Sequence, residues 1–252
     1  MLIDTHCHIH EADYPLDRNE VMNRALEVGV SKVICVGTSE ASSRRALEFA
    51  AANPNAFATI GVHPHDVKDG IDAVLNMVDA NSRPVKLVAI GEIGLDYYYN
   101  HSPRQAQIEA LEAQIDLSIR LNVPISFHVR DAFSDFWPVF DNFSGLQGVL
   151  HSFTDTESTL EQALSRGLYI GLNGISTFTK DPRQQQMFAN VPLEKMLLET
   201  DAPFLTPTPY RGKINEPVFT REVAAHHARE SEECHLMRFL PSQLQMPTHY
   251  LN

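Results

Sequence analysis

Short runs of apolar, β-branched residues recur along the chain, separated by stretches with helical spacing. The apolar runs fall at residues 2–5, 32–37, 56–62, 86–92, 124–129, 148–153, 167–173 and 195–201. Each is a continuous run, the pattern of a strand covered on both faces. Between them, residues 18–28, 39–52, 103–121, 132–140, 156–165 and 183–189 read as helices, with a weaker one near 71–80. Val21, Ala25 and Val28 share one face of the first helix, and Gly29 stops it. Pro103 occupies the first turn of the long fourth one.

Strands alternating with helices across 252 residues predict a single α/β domain, a (β/α)8 TIM barrel over residues 1–252. The rival, a doubly wound open sheet, usually carries a Gly-rich phosphate turn, and no G-x-G-x-x-G is present. No repeat, low-complexity tract or linker interrupts the alternation.

Metal-competent residues cluster at the ends of the apolar runs. His6 and His8 end the first, His63 the third, Glu92 the fourth, His128 the fifth, His151 the sixth and Asp201 the eighth. In a barrel all strand C-termini meet on one face, where active sites are built. Any one of these residues alone is better read as a structural histidine or a capping carboxylate. Repeated at seven positions, that explanation fails. Residues two apart on a strand share a face, so His6 and His8 point one way and Cys7 the other.

Two metals about 3.5–4 Å apart need a bridging carboxylate with ligands on either side. Glu92, on the middle strand of the set, is the expected bridge. His6, His8 and Asp201 come from strands one and eight, neighbours in a closed barrel, and are expected on one metal. His128 and His151 are expected on the other. Histidines favour Zn, whereas carboxylates keep Mg and Mn in play.

Composition narrows the function. The apolar fraction is 43% and no apolar run is long enough to span a bilayer. There is no basic-then-apolar leader. Cys7, Cys35 and Cys234 lie far apart without C-x-x-C, which points to a reducing, cytoplasmic setting. The net charge of −12 excludes non-specific coating of nucleic acid. Two divalent ions against two carboxylates leave the site at about +2, enough to attract a phosphodiester locally. No obligate protein partner is evident.

Seven stretches together resemble the TatD family of metal-dependent deoxyribonucleases, within the amidohydrolase-like barrels. They are Ile3-Asp-Thr-His-Cys-His8, Gly61-Val-His-Pro-His65, Gly91-Glu-Ile-Gly-Leu-Asp-Tyr97, Phe127-His-Val-Arg-Asp131, His151-Ser-Phe153, Leu198-Glu-Thr-Asp-Ala-Pro203 and Arg211-Gly-Lys-Ile-Asn-Glu-Pro217. In order they span roughly nine tenths of the chain. The resemblance implies the same ligand set and hydrolysis of DNA, typically 3′→5′ from single-stranded ends. Some proteins similar to the family instead cleave D-aminoacyl esters from tRNA. Many binuclear amidases use a carboxylated lysine, but the fourth strand ends in Glu92, not Lys, which favours phosphodiesters.

Further roles follow from position. Asp201 is expected to take the proton from the attacking water, and His63 to orient that water or hold a phosphate oxygen. Arg130, Lys180 and Arg211 are candidate phosphate contacts in loops. Tyr97, Tyr98 and Tyr99 are candidates to stack bases or to pack over the rim. Asp4 and Asp96 are expected to orient ligands. His10 and His65 read as loop residues, and Trp137 as core. From about residue 226 the chain departs from the family pattern. Helical periodicity dissolves, prolines follow, and His226, His227, His235 and His249 are expected at the surface.

Overall fold

The computed structural model describes residues 1–230. Its strands are β1 (Leu2–Cys7), β2 (Val30–Val36), β3 (Ala56–Ile60), β4 (Leu87–Asp96), β5 (Ile125–Arg130), β6 (Gly148–Leu150), β7 (Tyr169–Leu172) and β8 (Met196–Leu198). The helices are α1 (Arg18–Glu27), α2 (Glu40–Ala52), α3 (Asp72–Leu75), α4 (Arg104–Leu121), α5 (Phe133–Asp141), α6 (Glu157–Ser165), α7 (Ile175–Phe178), α8 (Pro182–Ala189) and α9 (Thr220–Glu230). The strands form one eight-stranded parallel sheet in the order β1 to β8, the (β/α)8 barrel expected from the alternation.

The chain divides into two compact units. A middle unit runs from Val36 to His151, and a terminal unit joins Met1–Cys35 to the described residues from Ser152 onward. In the middle unit, Ile60, Leu87, Ile90, Ile115 and Phe127 are fully buried, and Phe127 meets Phe136 edge-to-face at 5.1 Å. Trp137 belongs to this core, 8% exposed. In the terminal unit the core is Val21, Val33, Leu168, Ile170, Leu198 and Val223.

Local chemistry sets the boundaries. Asp17 caps α1 by accepting from the Asn19 and Glu20 N–H groups, and Ser39 and Thr156 cap α2 and α6 in the same way. The helix expected near 71–80 shrinks to the single turn of α3 and a 3-10 turn at Ala80–Ser82. Asp79 accepts from the Asn81 N–H there, so a side chain competes with the helical backbone. Conversely, β4 runs four residues past Glu92, which puts Asp96 on the strand rather than in the following loop. The extension depends on Gly94, paired with His128 at φ +154°, where a Cβ would collide with the His128 carbonyl.

The end of the described chain differs most from expectation. α9 continues through His227 to Glu230, and Val223, Ala224, His227 and Ala228 form its buried stripe. His227 is therefore not a surface residue. Its Nε2 lies 2.9 Å from Ser176 Oγ, and burial, aided by neighbouring His226, lowers its pKa to about 3. An imidazole takes a place in the buried stripe that apolar periodicity alone does not mark. His235 and His249 lie outside the described residues.

Candidate metal centre

In the middle unit three imidazoles converge on one carboxylate oxygen. Glu92 Oε1 lies 2.8 Å from His128 Nδ1 and 3.6 Å from both His63 Nε2 and His151 Nε2. Backbone hydrogen bonds fix each carrier. The Glu92 N–H donates to Gly37 O (2.8 Å), that of His63 to Thr38 O (2.9 Å), and that of His151 to Phe127 O (2.9 Å). Asp96 Oδ2 then accepts from His128 Nε2 at 3.0 Å and from His65 Nε2 at 2.9 Å. His65, expected in a loop, thus joins the cluster through Asp96, and Asp96 holds His128 on the side away from Glu92.

Electrostatics follow the packing. Burial and nearby His128 lower the His63 pKa to about 3, so its ring is neutral, the state a metal ligand requires. Burial opposes charge on His128, but hydrogen bonds to Asp96 and Glu92 outweigh it and raise its pKa. Burial likewise opposes charge on Asp96. Hydrogen bonds from His128, the Tyr99 N–H and His65 nevertheless hold it well below the usual carboxylate range.

The terminal unit carries a second cluster. His6 Nε2 and His8 Nε2 are 3.2 Å apart, and Asp201 Oδ1 lies 3.8 Å and 3.4 Å from them. Here β1 and the segment after β8 interlock. The Asp201 N–H donates to His6 O (2.9 Å) and the His8 N–H to Ala202 O (2.7 Å). Beneath them Asp4, fully buried, accepts from the Thr200 N–H (2.9 Å), the Thr200 hydroxyl (2.6 Å) and the His6 N–H (3.3 Å). Burial pushes its carboxyl well above the usual range against the pull of those bonds. Cys7 faces away and donates to Ile34 O, as strand alternation requires. His10 lies in the turn after β1, as expected of a loop residue, but is buried there, 3% exposed beside Glu11.

Sequence reasoning passed over Glu199. It is buried in the terminal unit and accepts from the Ser152 N–H at 2.7 Å. Gly171 leaves it room, because a Cβ there would come within 2.5 Å of Glu199 Oε2. Its place two residues before Asp201 was the available signal.

The substrate candidates separate. Arg130 lies over the Tyr98 ring at 4.0 Å, in the middle unit. Lys180 and Arg211 are exposed on loops of the terminal unit. Arg211 is spread over Phe178 at 3.8 Å and donates to Thr206 O at 2.7 Å. The three tyrosines also divide. The Tyr97 hydroxyl donates to Asp135 at 2.8 Å, whereas Tyr98 and Tyr99 face solvent.

The donor set fits divalent ions. His63, Glu92 and His128 offer ligand atoms all within 4.8 Å of one another. His6, His8 and Asp201 present the same mixture of imidazole nitrogen and carboxylate oxygen, suited to Zn or Mn and, through the carboxylates, to Mg.

The model of the TatD related DNase family matches residues 3–235. YabD, an uncharacterised metal-dependent hydrolase of Bacillus subtilis, is 35% identical over 92% of each chain. TatD of Salmonella typhimurium, a 3′-5′ ssDNA/RNA exonuclease, is 34% identical over 86% of each. The crystal structure of YjjV, a TatD homologue of Escherichia coli K12, superposes with a TM-score of 0.90 at 28% identity, covering 99% of this chain and 97% of that one. The chain belongs to the TatD-related DNase family, and it is a metal-dependent hydrolase. Among the described residues no helix is long and apolar enough to cross a membrane.

Proposed function

We propose that the protein hydrolyses phosphodiester bonds of single-stranded DNA from the 3′ end, with two divalent ions. The observation that carries this reading is the convergence of His63, His128 and His151 on one oxygen of Glu92. Burying three imidazoles around a carboxylate is costly unless a cation is what they gather for. In this reading His6, His8 and Asp201 would hold one ion, His128 and His151 the other, and Glu92 would serve as a ligand to both. When bound, such ions lower the pKa of water and neutralise charge building on the phosphoryl oxygens.

The remaining work falls to the chain's own groups. Asp201 accepts the proton of the attacking water, since its side chain, 16% exposed, stays in touch with solvent. Neutral His63 contributes a hydrogen bond to that water or to a phosphate oxygen. Asp96 accepts from His128 Nε2 and so turns Nδ1 toward Glu92, where it would meet the ion. The acidic chain relies on the ions and on Arg130 to draw in a polyanion. Arg211 and Lys180 serve as outlying phosphate contacts.

The deciding assay uses purified protein with oligonucleotides labelled at either end. Chelator is added, then Mg, Mn or Zn restored singly. The expected result is stepwise shortening from the 3′ end that chelator abolishes and metal restores. Metal-independent cleavage, or no cleavage, overturns the proposal. Release of D-amino acids from charged tRNA without oligonucleotide cleavage would put an ester hydrolase in its place.

A further inference from the structure

We infer that Tyr98, Tyr99 and Arg130 form a stacking platform for unpaired nucleobases, beside the Glu92 cluster. The inference rests on the reading that the substrate is a nucleic acid, and it adds how single strands are selected.

Three consecutive tyrosines follow β4, and they are not held alike. Tyr97 is fixed at both ends, its hydroxyl on Asp135 and its ring under Arg104 at 4.1 Å. Tyr98 and Tyr99 remain 58% and 51% exposed. Two adjacent aromatic rings more than half exposed beside a site leave π surface in water, and such surface marks a place where something binds.

The rings are held in place from the backbone. Gln107 Oε1 accepts from the Asp96 N–H at 2.8 Å, while Gln107 Nε2 donates to Ser102 O at 2.9 Å. One buried side chain therefore clamps both ends of the segment between β4 and α4. Ser102 donates to His65 O at 2.7 Å, and Asn100 takes the left-handed turn at φ +52°. The Tyr99 N–H donates to Asp96 at 3.0 Å, the carboxylate that also holds His128. The platform is thus coupled to the ligand cluster through one residue, and its rings lose little freedom on binding.

The rings present the geometry that bases use. Tyr98 and Tyr99 meet edge-to-face at 4.9 Å, and Tyr99 stacks on His101 with ring planes 7° apart. The Arg130 guanidinium sits 4.0 Å above Tyr98 and 5.0 Å from Tyr99. It covers one face of Tyr98 and holds a cation within 5.0 Å of both rings, available to the phosphate flanking a base stacked on the surface that stays exposed. Stacking accepts every base because every base has a π face, and it requires that the base be unpaired. The platform therefore favours single strands and is indifferent to sequence.

The test compares two oligothymidylates in the metal-loaded protein, one carrying bases at its last 3′ nucleotides and one with abasic tetrahydrofuran residues there. Stacking at this scale predicts a kcat/KM about 10-fold or more higher for the base-bearing strand. In Tyr98→Ala/Tyr99→Ala that ratio falls to about one, mainly through KM. In Tyr98→Phe/Tyr99→Phe, which keeps the rings and reports on folding, it stays near the wild-type value. A wild-type ratio near one, or a ratio that survives the double alanine change, overturns the platform. If the wild-type protein cleaves neither strand, the nuclease reading fails, and anisotropy of the same labelled strands decides the platform. Tighter binding of the base-bearing strand that the alanine variant loses supports it, and equal binding of the two strands overturns it.

Discussion

The two ligand clusters reach similar donor sets by different means. In the middle unit Glu92 lies within the ten-residue β4, His128 lies on β5 and His151 directly follows β6. In the terminal unit β8 is three residues long, and Asp201 follows it in irregular chain at φ +59°. A left-handed non-glycine residue costs about 1–3 kcal/mol and persists only where its surroundings over-determine it. Here the Asp201 N–H is held by His6 O, the Phe204 N–H donates to Asp201 O at 2.8 Å, and Asp4 anchors Thr200. The Glu92 side chain is 6% exposed and that of Asp201 16%. Backbone bonds to neighbouring segments fix the first cluster, whereas the second adds side-chain braces on a left-handed turn to the histidines of β1. The more buried side is suited to holding an ion still, and the more exposed side to passing protons.

The sharpest way to break this contrast is Glu92→Ala. Removing the oxygen on which three histidines converge should empty both metal positions. It should also lower turnover by more than the about 10²–10⁴-fold that one proton-transfer group contributes. Elemental analysis of the purified variant checks it, and full metal content would show that Glu92 is no shared ligand. The next effect is smaller. Asp201→Asn keeps shape and one oxygen but loses basicity and charge, so turnover should fall about 10²–10⁴-fold at saturating metal. Oligonucleotide affinity should hold. Near-normal turnover would move the base role away from Asp201, and loss of both metal and affinity would make Asp201 a ligand first.

The same contrast explains what the sequence made legible. The alternation of apolar runs and helices yielded the barrel, because strand burial leaves a composition signal in every unit of the repeat. The middle cluster was readable up to Glu92, but the continuation of β4 was not, since it depends on Gly94 accepting the His128 carbonyl at close range. Asp96 was therefore placed one element too late, and the tie from Asp96 to His65 went unseen. In the terminal unit the spacing of Glu199 two residues before Asp201 is the one local signal, and its bond to the Ser152 N–H, 47 residues away, is not in the local pattern. His227 was misassigned because its burial depends on Ser176, 51 residues away in sequence. Local pattern carries register; it does not carry side-chain braces between distant segments.

Those braces supply the last and smallest test. Asp4 touches none of the proposed ions, yet it accepts two hydrogen bonds from Thr200, next to Asp201, and one from the His6 backbone. Asp4→Ala leaves the Thr200 N–H and hydroxyl buried without that acceptor, at a cost of about 1–3 kcal/mol. Part of this is offset, because the variant no longer buries a carboxyl that burial itself disfavours. With the brace gone, the turn at Asp201 is less determined, and metal affinity at His6, His8 and Asp201 should fall about 10–100-fold, the usual scale for groups that orient ligands. Ligands in the middle unit keep their own backbone bonds, so titration calorimetry should show one weakened and one unchanged binding event. Thr200→Val, which removes only the hydroxyl, should lie between wild type and Asp4→Ala. Two equally weakened events would mean that Asp4 stabilises the whole fold and not the turn. Two unchanged events would mean that the strained Asp201 backbone holds itself, and the proposed difference between the clusters would disappear.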